Sequence, residues 1–344
     1  MKGATDVTQI EREITQPVNL CLADGMLNPD SIGWARKPII TSNVRGQFLR
    51  KKKWNYWCVF GKEALFSATI SNLDYATVCF VYFLEYETKR FIEKTILIPL
   101  DCKTNMPENV QETVEVSHKL MHLSFISSEK ETLLKISAND FHGQYLAADI
   151  AISYPDELDS LNVVVPWSES KFQFTAKHHC LPAKGYFTVG EKTYTFNPET
   201  DFAVLDYGRG IWPYESTWNW GMASGKQNDD TIGLNIGGKW TDNTGSTENA
   251  VILNGTLYKI SEDLTFSFDP HDYMKDWHVS SPSGNVDLTF VPFFERIAKT
   301  DLKIIQSEVH QMVGHYYGTI TLDHGNKIEF DHFLGCIEDH YAKW

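Results

Sequence analysis

Apolar and polar residues in this chain recur mostly in short runs with a period of two, the pattern of strands half-buried in a sheet. FVYFLEY at 80–86, TILIP at 95–99, LNVVV at 161–165, YTF at 194–196 and LTFSF at 264–268 are rich in aromatic or β-branched residues. Most are flanked within a few positions by Pro, Gly, Asn or Asp. Several read as hairpins: YFTVGEKTYTF turns at Gly190, NVDLTFVPF follows the turn SPSGN, and YGTITLDHGNKIEF turns at Asp323, His324, Gly325 and Asn326. Helical spacing is scarce and predicts only short pieces at 7–14 and 128–134. The pattern predicts an all-β protein of sandwich or barrel type.

An internal echo divides it. Trp54-Asn55-Tyr56-Trp57 returns as Trp218-Asn219-Trp220, 164 positions later, and each copy opens a run of strands about half the chain long. That spacing predicts two similar β-domains in tandem. The boundary is expected between Pro182 and Tyr207, with domains at 1–205 and 206–344. No low-complexity linker separates them, so their interface is expected to be packed.

Composition sharpens the picture. Among 344 residues, 42% are hydrophobic and 22% charged, an ordinary globular mixture, whereas ten Trp, fifteen Tyr and twenty Phe suit a β-rich protein with a cavity. The formal charge of −14 repels phosphate backbones and excludes nucleic acid as the expected partner. Arg50, Lys51, Lys52 and Lys53 read as a charged strand edge. The six cysteines, at 21, 58, 79, 102, 180 and 336, form no CxxC pair and read as small core residues. The opening MKGATDVTQIEREITQ has no apolar core segment, and no window is long and apolar enough to span a membrane. The expectation is a cytoplasmic protein, monomeric or homodimeric, without integral membrane association.

Familiar catalytic signatures are absent: there is no GxSxG elbow, no GxxxxGK[ST] loop, no HExxH, and no GxGxxG after a strand. GLNIGG at 233–238 reads as a closely packed strand or bulge. His178, His179 and Cys180 are consecutive, and neighbours on a strand face opposite sides, so no metal site is expected from them. The same expectation covers the scattered histidines 310, 315, 324, 332 and 340.

The densest chemistry lies in DYGRGIWPYESTWNW at 206–220, with three Trp, two Tyr, two carboxylates and one Arg. Asp206, Arg209 and Glu215 are the candidate catalytic residues: a charged group beside aromatics in a barrel mouth acquires a shifted pKa suited to proton transfer. Trp212, Tyr214, Trp218, Trp220, Asn235, Lys239, Glu248, Asn249 and Trp57 are the candidate ligand-binding residues, because indole faces stack on flat ligands and stabilise developing cations. The alternative is that Asp206 and Arg209 pair to clamp the domain junction while the tryptophans fill the core. Trp34 and Arg36 in SIGWARKP read as a pinned N-terminal arm. Near the end, Glu338, His340 and Trp344 share one face of a strand and read as a surface cluster at the chain end.

Taken together, the boxes LADGMLNPDSIGWARKP, KKWNYWCV, VVVPWSESKFQFTAK, LDYGRGIWPYESTWNWGMASG, GLNIGGKWTDNTGSTENAVILNG, VDLTFVPFFER and LGCIEDHYAKW resemble the bacterial and protist family known as domain of unknown function 2804. The order of a glycine-rich hairpin, an aspartate box and a Trp-x-Trp strand also resembles, more distantly, the calycin-like carotenoid hydratases, tocopherol cyclases and fungal pericyclases. That resemblance implies two lipocalin-like domains acting on apolar, often terpenoid, molecules without metal or organic cofactor. Their box commonly carries histidine after the aspartate, whereas Tyr207, Gly208 and Arg209 follow Asp206 here.

The reading is therefore a cofactor-independent lyase or isomerase acting on an apolar small molecule. Asp206 or Glu215 would be the general acid, Arg209 would orient an oxygen, and tryptophans would shield cationic character. The alternatives are a carrier of a lipid-like ligand, which needs no acid, and a carbohydrate-active protein with a carboxylate pair across the bond.

Overall fold

The computed structural model describes residues 11–101, 104–301, 306–323 and 325–344. Within them the chain is all-β, built as two tandem lipocalin-like domains of antiparallel strands. Helical structure among the described residues is one 3-10 turn, Pro29–Ser31. The expected helix at 128–134 is instead a hairpin turn, closed by Ser128 N–H to Glu131 O at 2.8 Å, that runs into the strand Glu131–Phe141. Leu134 and Ile136 face the core from it in strict alternation, so period two wins over the short helical spacing. Of the other expected helix, 7–10 lie outside the described residues, and 11–14 are extended, bridging Glu13 to Trp34. His324 and Cys102 also lie outside them.

The two sheets, of thirteen and nine strands, share one connectivity around their leading strands. In the first, Lys51–Phe60 leads a meander through Ala64–Asn72 and Ala76–Glu85 to Phe91–Pro99, and Phe202–Ile211 returns to pair with its leading strand. In the second, Glu215–Gln227 leads through Asp230–Gly238 and Asn249–Leu253 to Thr256–Ile260, and Lys327–Lys343 returns beside it. The echoing WNYW and WNW thus open equivalent strands. Phe202–Ile211 straddles position 205/206 and pairs along its length in the first sheet, and the second sheet begins at Glu215.

Each sheet closes over its own apolar core, one around Phe66, Phe83, Phe125 and Phe187, the other around Trp277, Phe290 and Tyr316. A third cluster joins them, with Tyr56, Cys58, Tyr82 and Val204 from the first sheet against Trp220, Met222, Val313 and Cys336 from the second. The long strand Lys171–Val189 serves both regions because it bends. Its register shifts between His178 and Leu181, where Cys180 takes φ +58°. The bend sends His179 into the second sheet, within 3.2 Å of Ala223 O and 3.3 Å of Asn235 Oδ1, while His178 faces Asn162. Burial holds both imidazoles neutral, at about 3 for His178 and about 4 for His179.

Candidate functional site

Where the two sheets face each other, they leave a cavity of about 480 Å³. Its walls are two rows of side chains set by strand register. Across the first sheet, Lys177 stands opposite Asp206, Asp206 opposite Tyr56, Tyr56 opposite Thr69, and Thr69 opposite Phe80. Across the second, Trp220 stands opposite Glu338, Glu338 opposite Gln311, and Gln311 opposite Arg296. Alternation explains the membership: Gln173, Thr175 and Lys177 point inward while Phe172, Phe174 and Ala176 enter the first core.

Charge is concentrated at one place. Lys177 Nζ lies 3.0 Å from Asp206 Oδ1 and 3.1 Å from Glu248 Oε2, and 4.2 Å over the ring of Trp220. Burial would depress the lysine, but the two carboxylates outweigh it and hold its pKa above the ordinary value. Burial raises Glu248, with Lys177 opposing. Thr175 Oγ1 donates to Asp206 at 3.2 Å, and Trp240 Nε1 donates to Glu248 at 2.7 Å. Gly237 makes the approach possible, since a Cβ there would lie 2.2 Å from Glu248 Oε1.

Glu338 sits on the facing row and, among the described residues, forms no ion pair. Trp218 Nε1 donates to its Oε1 at 3.1 Å and Gln311 Nε2 to its Oε2 at 3.0 Å. Gln311 is fixed in turn by Tyr82, which donates to its Oε1 at 2.8 Å, with the Tyr56 hydroxyl 2.8 Å behind. Desolvation by burial raises the Glu338 carboxyl to about 7. His340, two residues on, packs at a tilt against Trp218, with ring centroids 4.0 Å apart, and is pushed down to about 3 by burial, so it stays neutral. Arg296 forms a two-pronged ion pair with Glu93 at 2.9 and 2.8 Å, tying the edge strand of the first sheet to the second. Beyond this pair the cavity opens past Ile297, Lys299 and Thr300.

Indoles make up the remaining wall. Trp212 is the hub, with Trp54, Trp167, Trp218, Trp240 and Trp344 rings between 4.7 and 6.0 Å away. Of the residues expected at the site, Asp206, Trp212, Trp218, Trp220 and Glu248 line the cavity. Asn235 stands behind it, accepting from Trp220 Nε1 at 2.8 Å. Arg209 points the other way: it is fully buried over Tyr207 and bonds Pro107 O, Trp54 O, Gly208 O and Asn55 Oδ1. It does not pair with Asp206, and burial lowers it to about 10. Trp57 packs in the first core. Glu215 is exposed and accepts from Tyr341. Tyr214 is exposed under Arg50, Lys239 pairs with Asp339, and Asn249 bonds Gly237 N and Glu262 O.

Lys177, Gln173, Gln311 and Arg296 are among the cavity residues that sequence reasoning missed. The signal available for the first two was the polar alternation in KFQFTAK. Glu338, His340 and Trp344 do share a face, as their spacing predicts, and that face lines the cavity. Among the described residues no group of three or more His, Cys, Asp or Glu could hold a metal ion, and no helix is long and apolar enough to cross a membrane.

Fold and site thus define a two-domain lipocalin-like β-protein whose aromatic cavity lies between its halves. The chain belongs to the family described as domain of unknown function (DUF2804), whose model matches residues 11–344. No curated protein matches it in sequence. Among solved structures it is similar to a Nitrosomonas europaea protein provisionally assigned as AttH, at 9% identity and TM-score 0.51, over 85% of this chain and 92% of that one. It is also similar to kievitone hydratase from Nectria haematococca, at 13% identity and TM-score 0.50, over 85% and 88%. At such identities the likeness is one of fold.

Proposed function

We propose that the protein is a cofactor-independent lyase or isomerase that moves protons on a mainly apolar small molecule held between the two sheets. The observation that carries this reading is Glu338: a buried carboxyl with its pKa raised to about 7, facing an indole-walled cavity. Each of its oxygens accepts one hydrogen bond from the protein, leaving its proton to face the ligand. In a double-bond shift, Glu338 gives a proton to one end of the alkene and takes another from the allylic carbon. In a dehydration, it protonates the leaving hydroxyl and, as carboxylate, takes the neighbouring C–H proton. Positive charge developing between these steps would meet the faces of Trp218 and Trp220 and the two carboxylates on Lys177. The fold of a hydratase is shared at low identity, which agrees with this reading without deciding it.

The carrier alternative leaves the raised carboxyl without a purpose. The sugar alternative needs two carboxyls free to flank a bond, and Asp206 and Glu248 both engage one ammonium. The test is native mass spectrometry of protein purified from its own source, followed by organic extraction. The molecule recovered is incubated with wild type and Glu338→Gln. The expected result is gain or loss of water, or an isomer of equal mass, from wild type alone. A molecule that binds and is never altered would make the protein a carrier.

A further inference from the structure

In the cavity wall lies a buried hydrogen-bond donor with nothing to bond among the described residues. Gln173 is fully buried and lines the cavity wall at the tryptophan end. Trp212 Nε1 donates to its Oε1 at 2.7 Å, and because an indole N–H can only donate, this bond fixes which end of the carboxamide is oxygen. The Nε2 is then a donor alone, and it has no partner among the described residues. A space is kept for this arrangement. A Cβ on Gly208 would lie 2.6 Å from Gln173 Nε2, and one on Gly210 would lie 2.2 Å from its Oε1. A second donor, the indole Nε1 of the cavity-lining Trp344, is likewise buried and unpartnered among the described residues. Buried donors left unmet are costly, so two on the wall of a ligand cavity point to an acceptor that arrives with the ligand.

We infer that Gln173 is a specificity-determining residue, whose N–H reads a carbonyl-type oxygen on the ligand at a distance from the reacting position. Gln173 and Lys177 are four residues apart on one strand, which separates them by about 13 Å. The substrate class that satisfies both ends is an elongated, flat, apolar molecule with an acceptor oxygen at one end and the reacting alkene or hydroxyl toward the other. Stacking among the tryptophans selects the flat body, and the Gln173 amide selects its polarity and sets its direction. A ligand entered backwards would put its oxygen beside Glu338 and leave the amide unmet. This inference rests on the reading of the cavity as the ligand site.

The test compares two compounds of the same shape, 2-acetylnaphthalene and 2-isopropenylnaphthalene, which differ by C=O against C=CH2. Their affinities are measured by equilibrium dialysis on the full chain. Wild type is expected to hold the ketone roughly tenfold more tightly, the worth of one buried hydrogen bond. In Gln173→Met, close in size and without a donor, that preference should vanish while affinity for the alkene stays within about threefold. If Gln173→Met fails to fold, Trp212→Phe, which releases the carboxamide to turn, should cut the preference in its place. Equal affinity of wild type for both compounds would overturn the inference and leave the cavity reading standing, as would a preference that survives in folded Gln173→Met. Binding of neither compound would overturn both.

Discussion

The two halves of the molecule place an acid at the same position and treat it oppositely. Asp206 and Glu338 each lie on the strand that returns beside the leading strand of its sheet, opposite Tyr56 and Trp220 respectively. The neighbour on the other side is Lys177 in the first half and Gln311 in the second. An ammonium beside a buried carboxyl favours its charge, whereas a carboxamide offers a hydrogen bond without a full charge, and desolvation then prevails. The acid of the first repeat thus sits in an ion cluster completed by Glu248 from the second, and the acid of the second titrates near neutrality. The difference shows how a duplicated sheet can divide labour at its seam by changing one residue on a neighbouring strand.

Giving the first half the neighbour of the second is the harshest way to break this comparison. Lys177→Gln leaves Asp206 and Glu248 buried together without a cation, and should lower unfolding free energy by about 3–5 kcal/mol in urea titrations. Adding Asp206→Asn and Glu248→Gln should restore much of the loss. A single variant as stable as wild type would remove the ion cluster from the account.

Glu338→Gln should act the other way, and with pH. The folded value of about 7 lies above the ordinary 4.5, so folding takes up a proton between them. The stability contributed by Glu338 is full below pH 4.5 and is lost as pH rises through 7. The variant should therefore gain on wild type across that window, by up to about 3 kcal/mol, in urea titrations at successive pH values.

Smaller effects sharpen the picture of the wall and its surroundings. A Cβ on Gly208 would lie 2.1 Å from the Trp54 ring, so Gly208→Ala should cost about 1–3 kcal/mol and displace that indole, which near-ultraviolet circular dichroism would register. Glu215→Gln, on the exposed end of its strand, should stay within about 0.5 kcal/mol in thermal unfolding.

Much of this was legible from period two alone. The alternating runs predict the sheets, and the WNYW and WNW echo predicts the repeat, because each copy opens an equivalent strand. Arg209 and Asp206 are three positions apart, and an odd spacing on a strand puts side chains on opposite faces, which is where the structure has them. By the same parity Trp57 leaves the face of Tyr56. What alternation cannot distinguish is a polar face turned to solvent from one turned to a cavity. Gln173, Thr175 and Lys177 have the spacing of either, and so do Glu338 and His340. Only the facing of the second sheet against the first, a contact between residues more than a hundred positions apart, decides between them.

The central claim is that Glu338 titrates near neutrality inside the cavity, and difference infrared spectroscopy of wild type against Glu338→Gln tests it most directly. The account predicts a protonated-carboxyl band, present in wild type and missing from the variant, that disappears on raising the pH with a midpoint of about 7. A band lost near the ordinary carboxyl value of 4.5 would contradict it, and would leave the cavity without its proton donor.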